Sequence, residues 1–310
     1  MPEEKTGIYR YEPLWKEWHI EELIGKGSYG EVYRIYREKN GKREYAAAKY
    51  ISIPKTDELK GDRRFSDQEL TIRYAQRADK LSIEISSMLQ LKDSKNVVHY
   101  EQHLKEPKGK SPGWDIIIRM ELLTSLEDYL DANAFTKRDV VRLGLDLCSA
   151  ISSCQEHDIV HRDIKIENMF LDAVGNYKLG DFGVSRVGKG TATGTVAGTL
   201  DYMAPEVLNE HKYNSTVDIY ALGIAMYQLL NNRRNPFIDA DYVPNSDEEE
   251  EANQKRLRGD AFPDPKFDSG ELARIIKKAC AFRRQDRYAT PGEMAEDLKK
   301  LLAELKENPV

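Results

Sequence analysis

Val160-His161-Arg162-Asp163-Ile164-Lys165-Ile166-Glu167-Asn168 has the form H-R-D-x-K-x-x-N, and thirteen residues past Asn168 stands Asp181-Phe182-Gly183. Between them, Met169-Phe170-Leu171 and Tyr177-Lys178-Leu179 read as two short strands. A hairpin at that place brings Asp163, Asn168 and Asp181 together. Two carboxylates and one amide are hard oxygen donors, able to hold a divalent cation and to orient a hydroxyl. A lone Asp is ordinarily a surface residue, so the weight rests on the spacing and on what the rest of the chain supplies.

Upstream, the chain is β-rich. Trp18 to Ile24, Glu31 to Tyr36 and Tyr45 to Ile51 each read as a strand, and Asn40-Gly41 is a hairpin signal between the last two. Ile24-Gly25-Lys26-Gly27-Ser28-Tyr29-Gly30 carries G-x-G-x-x-G. In a dinucleotide fold those glycines open a helix; here a strand follows, which disfavours that reading. A glycine-rich hairpin tip can instead lay bare backbone N–H groups over phosphates, because no side chains obstruct the approach. Residues 52–80 are very polar, and Asp67 to Leu91 reads as a helix with Leu81, Ile85, Met88 and Leu89 on one face. Val97 to Tyr100 returns to β, Lys108 to Gly113 is a hairpin loop, and Asp115 to Glu121 is a buried strand.

Downstream, the chain is mostly helical. Thr136 with Asp139 three residues on is a capping-box start, and Leu143, Leu147, Ile151 and Cys154 mark one apolar face. Val217 to Leu230 reads as a buried helix, Ser246 to Glu251 as an acidic solvated loop, and Leu272 to Cys280 and Pro291 to Leu305 as amphipathic helices. The change from β-rich to α-rich near residues 121–124 marks a domain boundary. The expected division is an N-terminal arm over 1–17, loose and polar, then units over 18–121 and 122–305, and a tail over 306–310.

The 310 residues carry 47 basic and 53 acidic side chains, net −6, without the clustered basic face that nucleic acid requires. No apolar run approaches a membrane span, and the start of the chain lacks the order of a signal peptide. The three cysteines, Cys148, Cys154 and Cys280, have no metal spacing and fit a reducing compartment, so a cytoplasmic location is expected.

With these motifs in this order, the sequence resembles the eukaryotic-type (Hanks-type) serine/threonine protein kinases over about residues 18–305, and its activation segment looks like that of the bacterial members. The resemblance implies an α+β, bilobal fold, with a β-rich N-lobe carrying one helix and a mostly helical C-lobe. It implies ATP and Mg²⁺ as cofactors, protein substrates as partners, and transfer of the γ-phosphate to serine and threonine hydroxyls. Asp163 matches the base that accepts the hydroxyl proton, and Lys165 the serine/threonine-type lysine that contacts the γ-phosphate. Asn168 and Asp181 match the metal ligands. Lys49 matches the lysine on the α- and β-phosphates, and Glu84 the helix glutamate that orients it. Lys49 and Glu84 are 35 positions apart, longer than the family pattern, and Glu69 is the other candidate.

For the nucleotide the resemblance implies Ile24, Gly25, Lys26, Gly27 and Gly30 over the phosphates. Val32, Ala47 and Phe170 surround the base, Met120 is the gatekeeper, and Glu121 and Leu123 are the hinge. Ser125 and Asp128 are candidates for the ribose. Gly198 to Glu206 resembles the peptide-docking element, which small-molecule kinases lack. Within it Glu206 is expected to pair with Arg287, and Asp218 to bond the backbone at His161-Arg162. Thr191 and Thr193, in a segment of small residues, are expected autophosphorylation sites, with Arg162 and Arg186 as cations for the phosphate. The rival reading is a nucleotide-binding pseudokinase or scaffold.

Overall fold

The computed structural model describes residues 6–27, 30–54, 66–109, 112–182, 186–187, 200–209 and 215–307. Thr191, Thr193, Gly183 and Gly198-Thr199 lie outside the described residues, as does the side chain of Glu84. Contacts divide the chain into two compact units, Met1–Asp93 with Val98–Leu123, and Ser94–Val97 with Thr124–Val310.

The first unit is built on a five-stranded antiparallel sheet in the order β1-β2-β3-β5-β4. Its strands are β1 (His19–Gly27), β2 (Gly30–Lys39), β3 (Lys42–Ile53), β4 (Tyr100–Pro107) and β5 (Trp114–Met120), with helix α1 (Asp67–Met88) between β3 and β4. Asn40 and Gly41, at φ 53° and 72°, make the two-residue turn whose left-handed backbone suits the twist of the flanking strands. β3 is paired on both edges, and Ala46 to Ile51 is buried without interruption. A central strand covered on both faces has no polar side to show. In this run Lys49 sits opposite Val32 of β2 and Ile118 of β5.

Residues 7–17, within the expected arm, are not loose. Gly7–Tyr11 forms a 3₁₀ turn, and Ile8 and Leu14 are fully buried in a cluster with Trp18, Ile35 and Ile117. Arg10 pairs with Asp115, and the Tyr11 hydroxyl donates to the same carboxylate at 2.8 Å. A few apolar anchors are enough to dock a short segment when a sheet face offers a matching hole. Their spacing follows neither strand nor helix period, so periodicity could not reveal them.

The second unit is mostly helical. It contains β6 (Thr124–Ser125), α2 (Leu126–Ala132), α3 (Lys137–Glu156), β7 (Ile159–Val160), β8 (Met169–Leu171), β9 (Tyr177–Leu179) and β10 (Arg186–Val187), then α4 (Pro205–Asn209), α5 (Thr216–Leu229), α6 (Ser246–Arg258), α7 (Glu271–Ala279) and α8 (Pro291–Glu307). Thr136 and Asp139 form the capping box at the start of α3. α5 is buried on every side and is the axis of the unit. Gly223 on α5 is packed so closely that an added Cβ would lie 2.6 Å from the Cys280 sulfur. Cys148, Cys154 and Cys280 are free and buried, and burial pushes the Cys148 and Cys280 thiols up to about 12, so they act as small apolar fillers.

Ser246 to Glu251 is helix, not the expected loop. Asn245 caps α6, accepting from the Asp247 and Glu248 N–H groups at 2.9 and 3.0 Å, and Glu248 closes the box by accepting from the Asn245 N–H at 2.9 Å. Acidic residues in the first turn and Lys255, Arg256 and Arg258 in the last complement the helix dipole. The helix stops at Gly259, which takes φ 88°.

Candidate active site

The hairpin read from the sequence forms. β8 pairs with β9 in the register Met169–Leu179, Phe170–Lys178 and Leu171–Tyr177. The Gly180 N–H then donates to the Asn168 carbonyl at 2.9 Å, which places the Asp181 backbone next to the Asn168 turn. Asp181 itself takes φ 52° and Arg162 φ 68°. Such positive φ values in non-glycine residues cost conformational energy and persist only where the surroundings impose them.

Those surroundings start with Asp218 on α5, which is fully buried. Its two oxygens accept from the backbone N–H groups of His161 and Arg162, both at 2.9 Å. Burial raises its pKa, and the two backbone amide donors counter that rise. One carboxylate thus fixes the turn on which Asp163 rides. His161 is also wholly buried, and burial pushes its pKa down, so it is neutral. Its Nδ1 faces the Asp163 N–H at 3.4 Å, so the proton sits on Nε2, which donates to the Gly180 carbonyl at 3.1 Å. Phe182 packs edge-on against this ring at 4.5 Å.

Asp163 is 7% exposed. Its Oδ2 lies 3.1 Å from the Lys165 ammonium and accepts from the Asn168 Nδ2 at 2.9 Å. The same Nδ2 donates to the Asp163 carbonyl at 2.7 Å. The amide is therefore oriented by its donor, which leaves Oδ1 as the acceptor a cation can use. No cluster of three or more His, Cys, Asp or Glu that could hold a metal exists among the described residues. An Asn–Asp pair suits a cation such as Mg²⁺, which keeps several waters and phosphate oxygens in its shell.

In the first unit, Lys49 is 6% exposed, Ala47 is buried, and Met120 lies opposite Ala47 at the end of β5. The Glu121 N–H donates to the His99 carbonyl at 3.1 Å, and its carboxylate accepts from the His99 N–H at 2.7 Å. Glu84 lies in the last two turns of α1. Glu69 is in the first turn of α1, where its carboxylate accepts from the Ser66 N–H and hydroxyl, both at 2.8 Å. That is a capping role at the start of α1. Ser125 caps α2, accepting from the Asp128 N–H at 3.0 Å and donating to its carboxylate at 2.6 Å, so these two ribose candidates are engaged with each other.

The glycines divide by role. Gly30 has φ 139°, and a Cβ there would lie 2.2 Å from the Tyr50 carbonyl oxygen, so it serves the contact between β2 and β3. A Cβ on Gly27 would meet nothing within 4 Å, and one on Gly25 only Val32 at 3.8 Å. Space at Gly27 therefore fits the approach of a phosphate. Gly30→Ala is expected to destabilise the first unit, on the order of 1–3 kcal/mol from backbone strain. Gly27→Ala is expected to leave the melting temperature unchanged and to raise KM for ATP. Thermal melts beside ATP titrations of the two variants check the division; equal melting temperatures would refute it.

The pairing of Glu206 with Arg287 also forms. It is bidentate, Nη1 to Oε1 at 2.8 Å and Nη2 to Oε2 at 2.7 Å, with the Arg287 side chain fully buried. The residue that sequence reasoning missed is Arg256 of α6. It is 3% exposed and donates to the Leu200 and Met203 carbonyls and to the Tyr220 hydroxyl. Asn253, one turn earlier, donates to Asp201 at 2.6 Å. The guanidinia of Arg256 and Arg287 both approach the Tyr220 ring, at 5.6 and 4.7 Å, so the tyrosine at this position contacts both anchors of segment 200–209. The capping box at Asn245 and Glu248 was the available signal for α6.

Comparison with known proteins decides the family. The protein kinase domain matches residues 18–300. The chain belongs to the protein kinase domain family. Its bilobal α+β fold, with the five-stranded sheet in one unit and the helices in the other, agrees with this. A relative from Trypanosoma brucei brucei, whose name assigns it provisionally to the serine/threonine-protein kinases, is 29% identical over 267 residues, which are 82% of this chain and 54% of that protein. The Aurora kinase of Schizosaccharomyces pombe is 29% identical over 223 residues, 70% of this chain and 57% of its own. CBL-interacting protein kinase 3 of Oryza sativa subsp. japonica is 30% identical over 182 residues, 57% of this chain and 39% of its own. The chain spans about half the length of the curated relatives it matches. No helix among the described residues is long and apolar enough to cross a membrane.

Proposed function

We propose that this kinase domain transfers the γ-phosphate of ATP to serine and threonine hydroxyls of protein substrates. The observation that carries the reading is the Asp163 carboxylate, buried, fixed by Asn168 and Lys165, and seated on a turn that Asp218 pins. Asp163 is the base that accepts the hydroxyl proton. Lys165 neutralises charge on the transferred group. Asn168 through Oδ1 and Asp181 hold Mg²⁺, which with ATP supplies the phosphoryl group and offsets the charge that develops on its oxygens. Lys49 fixes the α- and β-phosphates, with Glu84 orienting it, while Ile24 to Gly30 cover them. Val32, Ala47, Phe170, Met120, Glu121 and Leu123 form the adenine site.

Phosphoryl transfer demands little covalent chemistry of the protein, so positioning and electrostatics are the whole of its task. The stack of bonds from Asp218 through His161 to Asp163 and Gly180 supports that kind of preorganisation. Activation comes from autophosphorylation at Thr191 and Thr193, with Arg162 and Arg186 receiving the phosphate. Support for this is placement: Arg162 adjoins Asp163, and Arg186 pairs in β10 with Val160 of β7. A cytoplasmic location follows the same reading of the cysteines.

Incubation with radiolabelled ATP, Mg²⁺ and a generic basic protein tests the reading, with phosphoamino-acid analysis of the product and phosphopeptide mapping of the enzyme. Label on serine and threonine is expected, together with self-labelling on Thr191 or Thr193. Nucleotide binding without any transfer would establish the pseudokinase reading instead.

A further inference from the structure

The described part of the peptide-docking element is held by α6 through one guanidinium. Leu200–Tyr202 forms a 3₁₀ turn, closed by the Met203 N–H donating to the Leu200 carbonyl at 3.1 Å. Nη1 of Arg256 donates to the Met203 carbonyl and, at 3.0 Å, to the Tyr220 hydroxyl. Nη2 donates to the Leu200 carbonyl and, at 3.0 Å, to Oδ1 of Asn253. Nε reaches the same Oδ1 at 3.4 Å. A guanidinium carries five N–H donors, and each has an acceptor here. Asn253 extends the hold, because its Nδ2 donates to Asp201 at 2.6 Å. Two side chains on neighbouring positions of α6 thus fix Leu200, Asp201 and Met203.

Stability alone does not call for an arginine at this place. Burying a guanidinium is costly, and well-packed apolar residues often serve a core as well or better. What the guanidinium adds is direction. Apolar burial is non-directional, whereas a planar fork sets two carbonyls at a fixed distance and angle from each other. The turn so fixed borders the proposed base. Asp163, Tyr202, Met203 and Ala204 line one cavity of about 40 Å³. The bonds that seat Asp163 come from Asn168, Lys165 and Asp218, none of which is a partner of Arg256.

We propose that Arg256 is a positioning residue for the protein substrate. It holds the 200–203 turn in the shape that docks the chain beside the acceptor hydroxyl, and it thereby governs how tightly the substrate is held rather than how fast the phosphate moves. The proposal rests on the kinase reading of Asp163. Lysine at this position keeps the charge but places three N–H donors on one atom, and it cannot span two carbonyls, a hydroxyl and a carboxamide oxygen.

The test compares the full chain with Arg256→Lys, Asn253→Ala and Leu301→Ala, using MgATP and a peptide with a single threonine. Arg256→Lys is expected to raise KM for the peptide about tenfold, the equivalent of one hydrogen bond to a charged group, with kcat at saturating peptide little changed. Asn253→Ala is expected to move KM in the same direction, and it carries the test if Arg256→Lys does not fold. Leu301→Ala, a large-to-small change at a buried position of α8, supplies a chain of lowered melting temperature and is expected to keep the parent's KM. Binding of the fluorescently labelled peptide, read by anisotropy without turnover, is the second arm. The parent's KM in both α6 variants would overturn the proposal. So would a loss confined to kcat, or an equal rise of KM in Leu301→Ala, which would make the effect one of general stability. Peptide binding that Arg256→Lys weakens, with no phosphate transferred by the parent chain, would keep the docking role and overturn the kinase reading.

Discussion

Asp163→Asn is expected to lower the rate of phosphate transfer about 10²- to 10⁴-fold, the usual contribution of a positioned general base. The substitution keeps the shape of the side chain. Its oxygen can still accept from the Asn168 Nδ2, now at 2.9 Å, and face the Lys165 ammonium, now at 3.1 Å. The peptide N–H groups of His161 and Arg162 remain on Asp218. Folding and nucleotide binding should therefore survive, and the loss should fall on kcat with KM for ATP little changed. Steady-state rates on a peptide substrate, beside a thermal melt and a nucleotide titration, separate these quantities. Transfer within about tenfold of the parent, well below the general-base range, would remove Asp163 from the role of base.

The second large effect is on stability. Glu206→Ala is expected to cost about 3–5 kcal/mol, because it strands the buried Arg287 guanidinium without its carboxylate. Arg287 would keep the Ala281 and Phe282 carbonyls, at 2.7 and 3.1 Å, and the face of the Tyr220 ring, none of which is charged. An exposed pair of the same geometry would contribute about 1 kcal/mol or less; what separates the two cases is that the Arg287 side chain has no exposure. Replacing both partners, as Glu206→Gln with Arg287→Met, should cost less than the sum of the single changes, since no unpaired charge is left behind. Urea denaturation of the four proteins gives the coupling. A single-mutant loss of about 1 kcal/mol or less would mean that water reaches Arg287.

Much of the site was legible in the primary structure because its residues come in short, ordered groups. H-R-D-x-K-x-x-N and the DFG stretch lie on either side of a three-residue β-hairpin, so local pairing alone brings Asn168 and Gly180 together. Lys49 was singled out only through family resemblance; that it lies in a strand buried without interruption from Ala46 to Ile51 came from the structure. The Glu206–Arg287 and Asp218 contacts were legible only through family resemblance, since 81 and more than 50 positions separate the partners.

Other features were hidden for identifiable physical reasons. Residues 246–258 look like a solvated charge run, and only the reciprocal cap at Asn245 and Glu248 shows that the charges begin a helix. That helix then carries Arg256 inward, where it holds three polar groups of segments 200–203 and 220. Ile8 and Leu14 are isolated in a polar stretch, and their burial depends on the face of a sheet made by residues far along the chain. Gly30 belongs to the glycine motif, yet the contact that demands a glycine is the Tyr50 carbonyl on the neighbouring strand.

By itself, the sequence determined the family, the order of lobes and the identity of the chemical groups, because these are written as residue types at short spacings. Tertiary structure alone decided what surrounds them. It set the neutral His161 between Asp163 and Gly180 and the division of labour between Gly27 and Gly30. Each of these depends on distances between atoms of remote segments and on the exclusion of water around them, and neither quantity has a counterpart along the chain.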